Sequence, residues 1–263
     1  MSEYITTLYP LTLLLIVGFG LIWGSFFNVC IARLPHDESI VFGGSHCPKC
    51  QARIPWYLNV PVVSYLWLQG RCRSCRVSIS IQYPLVELAT AALFLALFLE
   101  FGMGWRWLAY AVFTSILLVI SVIDLHHQII PNELSLPGIL IGFGASFLTH
   151  DISWAQSLLG CLCGGGIFWL IATVYEKWTG REGLGGGDVK MLGMIGSWLG
   201  VQSLIFVIIL SSASGSIVGL LLMALKGKNF KTAIPFGPFL ALGALIYLFC
   251  GTSLRQLLLP EFP

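Results

Sequence analysis

Residues 109–124 read AYAVFTSILLVISVID, an apolar helical run closed by an acid. Residues 183–200, GLGGGDVKMLGMIGSWLG, open another such run with Asp188 directly after Gly185-Gly186-Gly187. The chain is 57% hydrophobic and only 10% charged, with a mean hydropathy of +0.87. Soluble domains carry about 25% charged residues, so an ordinary soluble fold is excluded. Long, repeated apolar runs predict an all-α polytopic membrane protein. In that setting Asp124 and Asp188 are costly, and an ionisable residue in a membrane segment reads as functional.

Spans are expected near 10–31, 85–101, 105–123, 134–149, 157–176, 188–201, 203–225 and 234–254, eight in all. The stretches 134–149 and 188–201 are short against a hydrocarbon core of about 30 Å. The first run is too long for a signal-peptide core and lacks a basic segment before it, so it reads as a retained span. Basic residues favour cytoplasmic loops. With the N-terminus outside, the inner loops hold Arg33, Lys49, Arg53, Arg71, Arg73, Arg76, Lys177, Arg181, Lys190, Lys226, Lys228 and Lys231. The outer segments hold Arg106 and Arg255, which completes the 14 Lys and Arg of the chain. Both termini are therefore expected outside, with Asp124 and Asp188 on the cytoplasmic side. A net charge of +2 and the absence of a basic tract give no reason to invoke nucleic acid.

Three parts are expected: a first transmembrane helix (1–32), a small cytoplasmic domain (33–84) and a membrane-embedded catalytic region (85–263). Within 33–84, Cys47-Pro-Lys-Cys50 is followed by Cys72-Arg-Ser-Cys75. Two Cys-x-x-Cys knuckles at this separation point to a tetrahedral structural zinc site in a ribbon-like loop. Disulfides and a redox pair are the alternatives, and the charge rule places this loop in a reducing compartment. Lys49, Arg71, Arg73 and Arg76 would offset part of the thiolate charge. Cys30, Cys161, Cys163 and Cys250 lie in apolar runs and read as small buried hydrophobes. Glycine pairs four apart, among them Gly20/Gly24, Gly160/Gly164, Gly196/Gly200 and Gly215/Gly219, read as helix–helix contacts. No other internal repeat is evident.

Two carboxyl groups that share a proton can activate water with one and protonate a carbonyl with the other. Asp188 would sit at a helix N-terminus, which favours the anion, and Asp124 at a helix C-terminus, which disfavours it. That makes Asp188 the expected base and Asp124 the expected holder of the proton. The glycines before Asp188 would let an extended peptide approach. From the residues alone three readings stay open: peptide hydrolysis, proton or ion translocation, and two structural acids at helix ends. Adjacent His126 and His127 without a His-Glu-x-x-His pattern do not make a metalloprotease.

The ordered motifs extend well beyond the acids. They comprise Gly24-Ser25-Phe26-Phe27-Asn28-Val29, Arg33-Leu34-Pro35, the two knuckles, Tyr83-Pro84-Leu85-Val86-Glu87 and Ile130-Pro131-Asn132-Glu133-Leu134. Gly185-Gly186-Gly187-Asp188-Val189-Lys190 and Ile234-Pro235-Phe236-Gly237-Pro238 follow. Together they resemble the bacterial type IV prepilin peptidases, or leader peptidase/N-methyltransferases, over almost the whole chain. The resemblance implies cleavage of prepilins and pseudopilins after a glycine at the cytoplasmic face of the inner membrane, with Asp124 and Asp188 catalytic. It also implies methylation of the new N-terminus, usually Phe, by S-adenosylmethionine. No Gly-x-Gly-x-x-Gly fingerprint is present, and Asn28 and Glu87 are the candidate cofactor-binding residues by motif membership. Relatives often carry a second acid two positions after the first aspartate, where this chain has His126. Lys177, Arg181 and Lys190 are expected on the catalytic face, as topology determinants or as partners for acidic substrate residues.

Overall fold

The structure is a computed structural model that describes residues 2–42, 44–180, 185–226 and 234–258. Of the residues singled out above, Arg181, Gly183, Lys228 and Lys231 lie outside that set. The described residues form helices and loops with two isolated β-bridges and no strand. Two compact units divide the chain, one ending at Ala111 and the other beginning at Val112.

The first unit pairs α1 (Ser2–Arg33) with α3 (Gln82–Phe101). Their approach is set by side chains that are missing. A Cβ on Gly20 would lie 2.6 Å from the Ala91 Cα, and one on Gly24 would lie 2.6 Å from the Glu87 Cα. Small residues four apart thus bring two backbones into contact, as helix association in lipid requires. Above this pair, residues 34–81 form the loop domain with the short helix α2 (Val63–Trp67). The start of α4 (Trp105–His127) completes the unit, with the Trp107 indole N–H donating to the Phe94 carbonyl at 3.0 Å.

The loop domain contains a repeat that the sequence reading passed over. Cys47 N–H donates to the Ala52 carbonyl at 3.0 Å, and Cys72 N–H to the Val77 carbonyl at 2.8 Å. Gln51 N–H donates to Cys47, Arg76 N–H to Cys72, Ile54 N–H to Ser45 and Ile79 N–H to Gly70. Gln51 and Arg76 both take a left-handed φ, at 56° and 60°. Ser45–Ile54 and Gly70–Ile79 are therefore two copies of one knuckle, sharing only the Cys-x-x-Cys and the closing Ile in sequence.

The second unit holds the rest of α4 with α5 (Asn132–Thr149), α6 (Trp154–Cys161), α7 (Phe168–Thr179), α8 (Gly186–Leu199), α9 (Val201–Lys226) and α10 (Gly237–Leu258). A π-helical turn, Leu162–Ile167, joins α6 to α7. Its core is α8, where every residue from Met191 to Leu199 is buried. At 14 residues it is about 21 Å long, too short to cross a bilayer alone. It is sheathed by protein instead. The Trp198 indole donates to the Gly138 carbonyl at 2.9 Å and stacks on Phe113 at 5.0 Å, while Ser157 Oγ donates to the Ser197 carbonyl at 2.6 Å. Gly160 of α6 meets Gly196 of α8 backbone to backbone.

All eight expected segments are helical, but among the described residues six helices are long and apolar enough to cross a membrane. The α6–α7 pair, through its π turn, forms one of these; α5 and α8 are the two that fall short. The expected burial of the isolated cysteines holds for Cys30 only, since Cys161 and Cys163 are half-buried and Cys250 is exposed. On a lipid-facing helix, apolar surface gains nothing from burial. Replacing Gly196 with Leu should destabilise the protein by about 1–3 kcal/mol or more through overpacking against Gly160. Thermal unfolding in detergent measures this, with Gly144→Leu as the control because its Cβ would meet nothing within 4 Å.

Candidate active site and cysteine centre

Four helix ends gather in the second unit. Asp124 lies one turn before the end of α4, which continues to His127, and its side chain is buried. Its partner comes from the other end of the unit: the Gly237 N–H, at the start of α10, donates to Asp124 Oδ2 at 2.9 Å. A Cβ on Gly237 would stand 2.7 Å from that same oxygen, so this contact needs a residue without one. Asp188 occupies the first turn of α8, near its positive end, and its carboxyl lies within reach of the Asp124 charge. The two acids, 64 positions apart in sequence, are thus near enough for their charges to interact.

The glycines divide their work. A Cβ on Gly187 would come 2.9 Å from the Ile130 Cβ, so this glycine closes α8 against the segment before α5. A Cβ on Gly185 would instead lie 3.1 Å from Asp188 Oδ2, and Gly185 itself is exposed. Its bareness leaves one side of the Asp188 carboxyl open. Lys190 Nζ donates to Asn132 Oδ1 at 2.7 Å, tying the first turn of α8 to the first residue of α5. Lys190 thus serves this bond, whereas Lys177 is exposed in the last turn of α7. His126 is exposed and its Nδ1 contacts the Val122 carbonyl of its own helix at 2.8 Å, so its ring is turned along α4.

In the first unit, Cys47, Cys50, Cys72 and Cys75 place their sulfurs all within 4.8 Å of one another, and all four are free thiols. Cys47 Sγ and Cys75 Sγ are 3.9 Å apart. A tetrahedral site with metal–sulfur bonds near 2.3 Å puts its sulfurs about 3.8 Å apart, so the cluster has the dimensions to hold a metal ion. The N–H groups of Cys50 and Lys49 bring the Cys47 thiol down to about 6, and those of Cys75 and Ser74 lower Cys72. The first cysteine of each knuckle is thus favoured as thiolate, whereas burial and the neighbouring cysteines push Cys50 up to about 11.

Asn28 and Glu87, the cofactor candidates, are neighbours across α1 and α3, and both are buried. Asn28 Nδ2 donates to the Gly24 carbonyl at 3.3 Å and to the Tyr83 carbonyl at 3.0 Å. The Val62 N–H donates to Glu87 Oε2 at 2.7 Å, and the Ser25 hydroxyl bonds the same carboxyl group. Gly237, Asn132 and Val62 were missed as site contacts in the sequence. The first two belong to motifs already noted, and only their ordered presence signals them.

Two aspartates near helix ends in an all-helical membrane chain fit the class of integral-membrane peptidases, and the comparisons place the chain in it. The chain belongs to the type IV leader peptidase family. Residues 18–101 match the bacterial peptidase A24 N-terminal domain, and residues 111–220 match the type IV leader peptidase domain. The boundary between these matches coincides with the division into two units. The chain is similar to a prepilin leader peptidase/N-methyltransferase of Aeromonas hydrophila, 36% identical with 94% of each chain covered. Similar proteins of that name occur in Pseudomonas aeruginosa (36%, 90% of each) and Neisseria gonorrhoeae (34%, 92% of each). No solved structure matches.

Gly237→Ala should lower cleavage by roughly 10²-fold, because the Asp124 carboxyl must move aside for the new methyl group. Single-turnover cleavage of a prepilin by purified variant and wild type measures it, and wild-type rates would show that the Gly237 contact does not position Asp124.

Proposed function

We propose that this protein removes the leader peptide from type IV prepilins and pseudopilins and methylates the new N-terminus. The observation that carries the first activity is the pairing of Asp124 and Asp188 at the ends of α4 and α8. One carboxylate takes a proton from water as the water oxygen attacks the scissile carbonyl. The other, in its acid form, protonates the carbonyl oxygen, giving a tetrahedral diol. Its collapse breaks the C–N bond as the leaving nitrogen regains a proton from the pair. The helix-end argument made Asp188 the ionised member. The Gly237 N–H also supplies Asp124 with an anion-stabilising bond, so the proton belongs to the pair as a whole.

The substrate enters as a hydrophobic helix whose leader lies at the membrane surface. The distribution of Lys and Arg supports a cytoplasmic active site in the inner membrane with both termini outside. Exposed apolar residues on α7, including Trp169, Leu170 and Ile171, fit a lipid surround. Zinc is the metal that four thiolates on two knuckles suit best, and its role here is to hold the loop domain together.

Methyl transfer is placed in the first unit. The methyl donor there, S-adenosylmethionine, would supply an electrophilic methyl group on a cationic sulfur. Asn28 and Glu87 supply buried acceptors for one of the two reactants in this unit. The chain's own part is to hold the loop over α1 and α3 and to keep water from the reaction.

Asp124→Asn and Asp188→Asn should each reduce cleavage by roughly 10³-fold or more while the protein still inserts and folds. Co-expression with a prepilin, read as a size shift on a gel, tests this; normal processing by either variant rejects the pair. The mass of the processed N-terminus tests methylation in the same sample. Purified protein should carry one zinc per chain by elemental analysis, and Cys72→Ser should lose it and lower the melting temperature.

A further inference from the structure

Among the described residues, one buried side-chain polar atom has no hydrogen-bond partner. Asn28 Oδ1 is buried and accepts no hydrogen bond, while the Nδ2 of the same amide serves two carbonyls. That pairing also fixes which end of the amide is the oxygen, since only the nitrogen can donate. A buried acceptor left empty is costly, and a resident ligand would relieve that cost. The residue is 3% exposed, and Glu87 is 6% exposed.

Glu87 lies on the facing helix within one turn of this atom. Asn28 bonds the Tyr83 carbonyl, one turn before Glu87, and Glu87 bonds Ser25, one turn before Asn28. A carboxylate has about four lone-pair sites, and Val62 N–H and Ser25 use two. The donor from the loop is held under strain. Val62 has φ 60° and ψ −49°, and the Val63 N–H reaches back to the Pro61 carbonyl at 2.6 Å. This is a γ-turn of the rare kind, on a β-branched residue that disfavours it. Strain of this sort persists where the surroundings impose it, and it clusters at functional positions.

What remains unused at Asn28 and Glu87 is therefore all acceptor. A primary ammonium carries three N–H donors for such atoms; the methyl donor's amino-acid end has one as well, but only the peptide's ammonium must give up a proton to react, and a carboxylate beside it can take that proton. We propose that Asn28 Oδ1 and the Glu87 carboxylate form the recognition site for the ammonium of the substrate's newly cut N-terminus. The inference rests on the methyltransferase reading above and assigns these two residues to the nucleophile. Glu87 takes one proton from the ammonium: an N–H bond breaks, an O–H bond forms and the nitrogen lone pair is freed. That lone pair forms a bond to the methyl carbon of S-adenosylmethionine as the carbon–sulfur bond breaks, its electron pair staying on the thioether. The product is a secondary ammonium. Asn28 orients the amine without taking a proton.

The test is binding by the full-length protein in detergent, without a methyl donor. The probes are two synthetic peptides of a mature pilin N-terminal segment, one with a free amine and one N-acetylated. Wild type should bind the free amine about 10-fold tighter, the scale of one hydrogen bond to a charged group. Glu87→Gln, which keeps an acceptor for Val62, and Asn28→Ala should both reduce that ratio toward one. A ratio is insensitive to partial unfolding, which weakens both probes alike. Equal wild-type affinities, or variants that retain the preference, would overturn the site. Mass spectrometry of the free-amine peptide after adding S-adenosylmethionine keeps the two readings apart. Amine preference without methylation would reject the methyltransferase reading and leave the site standing. Methylation without amine preference would reject the site alone.

Discussion

A carboxylate buried in a membrane protein needs donors, and no water is at hand in the bilayer to provide them. Asp124 obtains its donor from the backbone of Gly237, 113 residues further along the chain. This one bond requires that α10 begin where α4 is about to end, and that the residue there carry no Cβ. The first turn of α8 then has to lie near enough for Asp188 to feel the Asp124 charge. Ile130 against Gly187 and Asn132 against Lys190 set that position from the α5 side. The site is thus a meeting of helix termini, where free N–H groups and dipoles favour negative charge.

The same economy governs the first unit. Gly20 and Gly24 let α1 lie against α3; the polar Asn28 follows one turn after Gly24, and Glu87 is the residue that Gly24 packs against. The carboxyl group of Glu87 in turn holds the Val62 turn of the loop. The loop's own order comes from two copies of a knuckle that present four thiols to one point. Each unit keeps its polar chemistry where helix ends or close-packed backbones supply partners.

Much of this was readable from residues. The apolar runs located eight helical segments, and the costly acids singled out Asp124 and Asp188 as the candidate pair before any fold was known. The knuckle spacing pointed to the metal cluster. Other features were hidden for physical reasons. Hydropathy does not separate a helix that crosses lipid from one wrapped in protein, so α8 looked like a short span. The knuckle repeat rests on backbone hydrogen bonds and two left-handed residues, Gln51 and Arg76, that share no side-chain chemistry. The helix-end argument for the proton considered only the helices bearing each acid, because a donor from α10 leaves no trace in the local sequence.

The sequence by itself determined what the chain is made of: apolar helices, two acids at their ends, and four cysteines in two pairs. Each follows from local composition, since lipid tolerates only helices with internally satisfied backbones and thiol pairs carry their own spacing. The tertiary structure decided which ends meet. Asp124 bonded to Gly237, and Asn28 bonded to Tyr83 one turn before Glu87, are contacts between helices far apart in the chain. They depend on how closely the backbones approach, and that was set by glycines whose purpose appears only when the opposing helix is in place.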